Sequence, residues 1–210
     1  VTSHVTLDVV EEYYQDCIKY LVFGNVLKNN TYPLSVSAER VFQATAVAKY
    51  ADKLGAKAIA HGSTGAGNDQ VRFDVVFRIL VPECEIITPI RDLQLSREDE
   101  IEYLKSKGVV QEWHKAAYSI NKGLWGTSVG GKETLTSDGY LPEEAWPTQL
   151  TKTTPEKISL QFKHGELIGL NDEIYPSSVD AIRELTARAG AFAIGRDIHV
   201  GDTIIGIKGR

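Results

Sequence analysis

The chain has no methionine, only two cysteines and no block of basic residues. Each scarcity removes a class of reading. Without methionine the chain is expected not to begin at an initiator. It opens on VTSHVTLDVV, which reads as a strand already under way with no targeting segment. Cys17 and Cys84 sit in apolar helix- and strand-like contexts. They read as reduced core residues of a cytoplasmic protein, not as a disulfide framework. A net charge of −5 without a basic cluster makes neither nucleic acid nor an anionic membrane an expected partner. No apolar run approaches the roughly 20 residues that cross a bilayer. His4, His114, His164 and His199 are scattered, with no HxxxH pair and no cysteine partner, so no metal site is expected. No internal repeat or low-complexity tract breaks the chain.

What remains is ordinary globular material: 210 residues, 42% hydrophobic and 24% charged, enough for one large domain or two small ones. Its most informative stretch is His61 to Phe73, HGSTGAGNDQVRF. Lys57 to Ala60 before it reads as a short buried strand. Gln70 onward reads as a helix, with Val71, Val75, Val76 and Ile79 in helical period. Gly62, Gly65 and Gly67, with Thr64, Asn68 and Asp69, therefore form a loop between a strand's carboxyl end and a helix's amino end. Open α/β sheets place their ligands there. Glycines permit positive φ and close backbone approach, and the first-turn amides of a helix attract anions. No Lys-Ser/Thr follows the last glycine, and the GxGxxG spacing is reversed, so neither a Walker A loop nor a dinucleotide fingerprint is present. A plain glycine-rich turn capped by Asn68 or Asp69 fits the same residues.

In chain order, His4 to Val10 alternates as a strand. Asp8 to Val22 reads as a helix with Tyr13, Cys17, Tyr20 and Leu21 as its apolar stripe. Phe23 to Ser35 is loop-like. Ser35 or Ser37 caps a helix to about Leu54, with Val41, Ala44, Ala48 and Ala51 aligned and Gly55 at its end. Glu85 to Thr88 is a further strand, and Ser96 with Asp99 opens a helix that stops at Gly108. Strand and helix alternate as in a parallel α/β sheet with right-handed crossovers. From Val109 to Pro155 no period is sustained. Lys157 to Leu170 reads as a hairpin turning at His164-Gly165-Glu166. Ser177 or Ser178 starts a helix to about Ala189, and Phe192 to Arg196 and Thr203 to Lys208 read as strands around a Gly201-Asp202 turn. The expected domains are 1–110, an incomplete nucleotide-binding domain, and 111–210, an α+β domain, with the boundary near Gly108 to Lys115.

HGSTGAGNDQVRF resembles the signature of the argininosuccinate synthetase family. TYPLSVSAER (Thr31 to Arg40) is similar to that family's Tyr-Pro-Leu-Gly-Thr-Ser-x-x-Arg segment. SREDEIEYLKSKG, YSINKGLWGTS and the closing GIKGR follow in the family's order, so the likeness spans the whole chain. It implies an adenine nucleotide alpha hydrolase-like parallel-sheet domain followed by a synthetase domain. The family's Ser-Gly-Gly-x-Asp-Thr-Ser phosphate loop and its carboxyl-terminal region have no counterpart in these residues. The implied reaction joins citrulline to L-aspartate with ATP and Mg²⁺, through an adenylated citrulline, releasing AMP and pyrophosphate. A homotetramer is the implied assembly. Readings that stay open are another ATP-pyrophosphatase-type enzyme, such as a tRNA-thiolating or amide-forming one, and an inactive amino-acid-binding fragment.

Carried over position by position, the resemblance puts Thr64, Asn68 and Asp69 on aspartate and Gly62 against ATP. It puts Tyr32, Ser37, Asn68, Arg72, Ser119 and Ser128 on citrulline. From position alone Asp69 reads first as a helix cap and Arg72 as a solvated surface arginine; the signature reverses that order. Asn121 is a support residue at most, and His61 reads as structural at the strand end more readily than as a general base. No catalytic residue is assigned: adenylation turns the ureido oxygen into a leaving group, so positioning and phosphate electrostatics suffice. One departure stands out. Counting back from Gly206, Gly201 occupies the place where the family has a glutamate for the citrulline ammonium, a contact worth roughly 1.5–3 kcal/mol. Either the adjacent Asp202 substitutes after a one-residue shift, or the substrate is an N-acylated (acetyl or succinyl) citrulline. In the second case Arg196, His199 or Lys208 would meet a succinyl carboxylate.

Overall fold

The computed structural model describes residues 2–65, 67–110, 118–136, 138–203 and 206–208. The chain divides into two compact units that are not contiguous in sequence. The first takes the described residues of Val1–Leu7, Ser37–Tyr118 and Gly201–Lys208; the second takes Asp8–Val36 and Ser119–Val200. The boundary expected near Gly108 to Lys115 falls largely outside the described residues.

The first unit is built on two parallel strands, β1 (Ala58–Ala60) and β2 (Glu85–Ile87), with Ile59 opposite Ile86. Helices α3 (Ser35–Leu54) and α4 (Asp69–Leu80) connect around them; α1 and α2 lie earlier in the chain, in the second unit. Ala44, Ala48 and Ala51 of α3, Ile59 of β1, and Phe77 and Val81 form the core. Phe73, Val76, Cys84 and Ile86 pack against it. Alanine at every inward position of α3 lets that helix lie close on the strands, while Val41 is 41% exposed. The end of α3 follows from handedness. Gly55 has φ +62°, its N–H donates to Asp52 O at 2.9 Å, and the Ala56 N–H donates to Ala51 O at 2.9 Å. That pair of reversed bonds is a Schellman stop. Short α5 (Pro89–Asp92) follows β2, and α6 (Arg97–Ser106) starts with a complete capping box between Ser96 and Asp99.

Several expectations change here. Residues 4–9 form no strand, and Val5 and Leu7 lie exposed. Helix α3 begins at Ser35, so Ser37 lies inside its first turn and not at the N-cap position. On α4 the buried stripe is Gln70 and Phe77 with partly buried Phe73 and Val76, whereas Val75 is 49% and Ile79 70% exposed. The stripe 70, 73, 77 has the same helical spacing as the valine stripe but buries two phenylalanines. Aromatic area sets the phase.

In the second unit, Val10 to Phe23 is helical but interrupted. It runs as α1 (Val10–Tyr13), a π turn (Tyr14–Ile18) and α2 (Lys19–Phe23). The π turn widens the repeat, so Tyr13, Tyr14 and Ile18 are buried and Tyr20 is left exposed, against the stripe expected from a regular period. The stretch read as loop after Val109 holds a hairpin, β3 (Ser119–Gly123) and β4 (Gly126–Gly130), turning at Leu124-Trp125. A three-stranded antiparallel sheet follows: β5 (Leu160–Lys163), β6 (Glu166–Leu170) and β7 (Glu173–Ile174), with β6 central. His164 and Gly165 both take positive φ, the mirror-turn geometry of a two-residue hairpin loop. Helix α7 (Ser178–Gly190) packs on β6, burying Val179, Ala181 and Ile182. Ser177 is its cap, accepting from the Asp180 N–H at 3.2 Å. Residues 191–195 are turns, not the strand expected at 192–196. Strands β8 (Gly201–Thr203) and β9 (Gly206–Lys208) pair, so Gly201 and Asp202 lie in a strand and not in a turn.

Candidate functional site

The signature loop lies where the sequence puts it. It leaves the carboxyl end of β1, which is extended by a bond from His61 N–H to Ile87 O at 3.1 Å, and enters the amino end of α4. A turn closes from Gly67 N–H to Thr64 O at 3.3 Å, so Thr64 opens that turn. None of Gly62, Gly65 and Gly67 takes a left-handed φ. Among the described residues, a Cβ at Gly62 would meet only Ile90 Cγ1, at 3.8 Å, and one at Gly65 only Arg91 Cγ, at 3.7 Å. The chain's own backbone therefore does not require these glycines, and close approach is the remaining reason for them.

Asn68 occupies the N-cap position of α4 without a side-chain cap bond. Asp69 is the first helical residue, and its carboxylate goes elsewhere. Arg72 donates from Nη1 to Oδ1 at 3.0 Å, and Arg40 of α3 donates from Nε to Oδ2 at 3.2 Å. Neither the alternative of a helix cap at Asp69 nor that of a solvated surface arginine at Arg72 describes this geometry. Arg40 also reaches Gln43 at 2.8 Å and Glu39 at 3.5 Å. Burial raises the Glu39 carboxyl, against the lowering charge of Arg40 and with the raising charge of Asp69. Ser37 lies one turn before Arg40 on α3.

Beneath the loop lies a polar network that sequence reasoning missed. Asp74 takes a bond at 3.0 Å from His61 Nε2 and one at 2.9 Å from Arg91 Nη1. Arg91 also donates to Gln70 Oε1 at 3.0 Å, and buried Gln70 donates from Nε2 to the carbonyl of Gly65. Burial pushes the Asp74 carboxyl up. The hydrogen bonds from His61 and Arg91 and the positive charge of Arg91 together outweigh that and hold it below the usual carboxylate range. The available signal was an i, i+4 pair of polar residues, Gln70 and Asp74, on one helix.

Tyr32, Ser119 and Ser128 belong to the second unit. Tyr32 bridges Lys28 through its backbone and stacks on His199 with ring centroids 4.8 Å apart. Burial, then the charge of Lys28, lowers the pKa of His199. Ser128 lies opposite Asn121, and Ser119 opposite Gly130. The alternation of an antiparallel pair puts Ser119, Asn121 and Ser128 on one face of the hairpin. Arg196, a candidate for a succinyl carboxylate, is engaged instead. Its Nη1 reaches both Glu143 oxygens at 2.8–2.9 Å, and its guanidinium lies over Trp146 at 4.8 Å. Among the described residues no cluster of three or more His, Cys, Asp or Glu is placed to hold a metal ion, and no helix is long and apolar enough to cross a membrane.

A parallel βαβ unit with a glycine-rich loop at the helix entry, and a separate α+β unit, define the class as an α/β fold with a ligand-type loop at the strand's carboxyl end. The profile of the arginosuccinate synthase N-terminal HUP domain matches residues 1–110, and that of the arginosuccinate synthase C-terminal domain matches residues 118–210. The chain belongs to the argininosuccinate synthase family. It is 39% identical over 213 aligned residues to the argininosuccinate synthase of Methanocaldococcus jannaschii, covering 100% of this chain and 53% of the relative. The Sulfolobus acidocaldarius protein is 38% identical (99% and 53% covered), and the Bacillus subtilis protein 36% (100% and 53%). The chain thus spans about half the length of the curated relatives it matches.

Proposed function

We propose that this chain carries the amino-acid-binding part of an ATP-dependent carbon–nitrogen ligase. The reaction joins citrulline and L-aspartate into argininosuccinate through a citrullyl-adenylate, releasing AMP and pyrophosphate, as a step of arginine biosynthesis. The carrying observation is the loop itself: Thr64 opening the turn before α4, an N-cap residue Asn68 whose side chain makes no cap bond, and the Asp69–Arg72 pair at the entry of α4. The amides and Thr64 suit the carboxylates of aspartate, and Asp69 suits its ammonium. Arg72 suits a citrulline carboxylate. The two charged groups now neutralise one another; substrates offering an ammonium to Asp69 and a carboxylate to Arg72 replace one charge-assisted contact with two. Gly62 gives the nucleotide its close approach, and ATP enters as its magnesium complex. In this reading residues 1–110 serve the nucleotide and aspartate. Residues 111–210, with Tyr32 and Ser37, serve citrulline through Ser119 and Ser128. The working protein is a cytoplasmic homotetramer.

Gly201, in place of a glutamate, makes the citrulline amine the open specificity question. The test is pyrophosphate release by the protein that contains this chain. ATP–Mg and aspartate are supplied with citrulline, N-acetylcitrulline or N-succinylcitrulline in parallel. Turnover with free citrulline alone supports the standard ligation and sinks the acylated variant. Preference for an acylated form makes Gly201 a specificity residue. Silence with all three refutes the proposed reaction.

A further inference from the structure

The network under the loop has a direction. The Ser63 N–H points at His61 Nδ1, 3.3 Å away, so Nδ1 is the acceptor and carries no proton. The ring's proton is then on Nε2, which faces Asp74 Oδ1. Only an acceptor at Asp74 supports this tautomer, because the hydrogen bond made at one imidazole nitrogen sets the state of the other. The second carboxylate oxygen is held by Arg91, which also grips Gln70, and Gln70 holds the Gly65 carbonyl. Both limbs of the loop, at Ser63 and at Gly65, therefore trace back to one carboxylate. The side chains of His61 and Asp74 are 9% and 16% exposed, so water competes weakly for these bonds.

We infer that Asp74 is a positioning residue: by fixing the Nε2–H tautomer of His61 and orienting Arg91, it holds the Ser63–Gly65 loop in the shape that receives the amino-acid ligand. The identity of that ligand rests on the reading above; the tautomer and the loop geometry do not. An amide in place of the carboxylate discriminates. In Asp74→Asn the remaining oxygen is drawn to the Arg91 cation and the NH2 group turns to His61. Nε2 must then accept, the proton moves to Nδ1, and Nδ1–H confronts the Ser63 N–H as donor against donor.

The experiment is ¹⁵N NMR of the protein that contains this chain, reading the His61 ring nitrogens and Ser63 amide exchange, with aspartate binding measured by calorimetry. The wild type is expected to show an unprotonated Nδ1, a protonated Nε2 and a protected Ser63 amide. Asp74→Asn is expected to reverse the ring assignment, speed Ser63 exchange about tenfold and weaken aspartate about tenfold, the scale of leaving one buried group without its partner. His61→Asn keeps an acceptor at the δ position and is expected to retain Ser63 protection, which tests the acceptor at Nδ1. If Asp74→Asn does not fold, the wild-type ring assignment and Ser63 exchange carry the test. A wild-type ring protonated on Nδ1, an unchanged ring and amide in Asp74→Asn, or loss of Ser63 protection in His61→Asn overturns the inference. A wild type with the expected ring that binds no aspartate refutes the assigned ligand and leaves the positioning role in place.

Discussion

Replacing Gly62 by alanine separates what the chain needs from what a nucleotide needs. The backbone at Gly62 is not left-handed, and an added Cβ would sit 3.8 Å from Ile90 Cγ1, an ordinary contact. Alanine also narrows the unfolded ensemble. The variant should therefore be as stable as wild type or more stable by about 0.4–1 kcal/mol. On the proposed reading ATP passes against this residue, and a methyl group placed there overpacks the contact by roughly 1–3 kcal/mol. That corresponds to ATP binding weakened about 5- to 150-fold. Urea midpoints and ATP dissociation constants are measured side by side in the protein that contains this chain. Gly65→Ala serves as a matched control, since its Cβ would meet Arg91 Cγ at a similar 3.7 Å and no nucleotide role is proposed for it. Wild-type ATP affinity in Gly62→Ala, or an equal loss in Gly65→Ala, would refute the close-approach reasoning. A large loss of stability would refute the local geometry itself.

Gly55→Ala is the opposite case: its Cβ would meet nothing within 4 Å, but its φ of +62° is left-handed. It should cost about 1–2 kcal/mol in urea unfolding, and a neutral result would contradict the Schellman end of α3. Tyr14 is 2% exposed and donates to Glu166 at 2.8 Å. Burial, then the bond to and charge of Glu166, push its phenol up to about 12 against an opposing effect of Ser178. A raised folded pKa means stability present below the ordinary value near 10 and lost as pH climbs through 12. Wild type should thus lose about 3 kcal/mol relative to Tyr14→Phe across that window. A stability difference that stays constant from pH 9 to 12 would exclude the shift.

How far the chain could be read in advance depended on whether each signal was local. The end of α3 at Gly55, the caps at Ser96 and Ser177 and the mirror turn at His164-Gly165 are set within a few residues, and all are present in the structure. The loop between β1 and α4 was legible for the same reason. Misreadings arose where a helix offers two faces of equal period. Val71, Val75 and Ile79 keep the spacing as well as Gln70, Phe73 and Phe77, and only packing decides between them. The π turn at Tyr14–Ile18 likewise has no one-dimensional signature, so the stripe predicted for a regular helix puts Tyr20 inside when it lies outside. The β3–β4 hairpin escaped because Leu124-Trp125 is not a pair that marks a tight turn. The site shows the same division. Thr64, Asn68, Asp69 and Arg72 form one contiguous string and could be recognised together. Arg40, Asp74 and Arg91 reach the loop's supports from three different helices, α3, α4 and α5, and no spacing rule joins them. The residues that touch a ligand tend to be written as a motif. The residues that hold the motif still are written as contacts, and contacts exist only once the chain has folded.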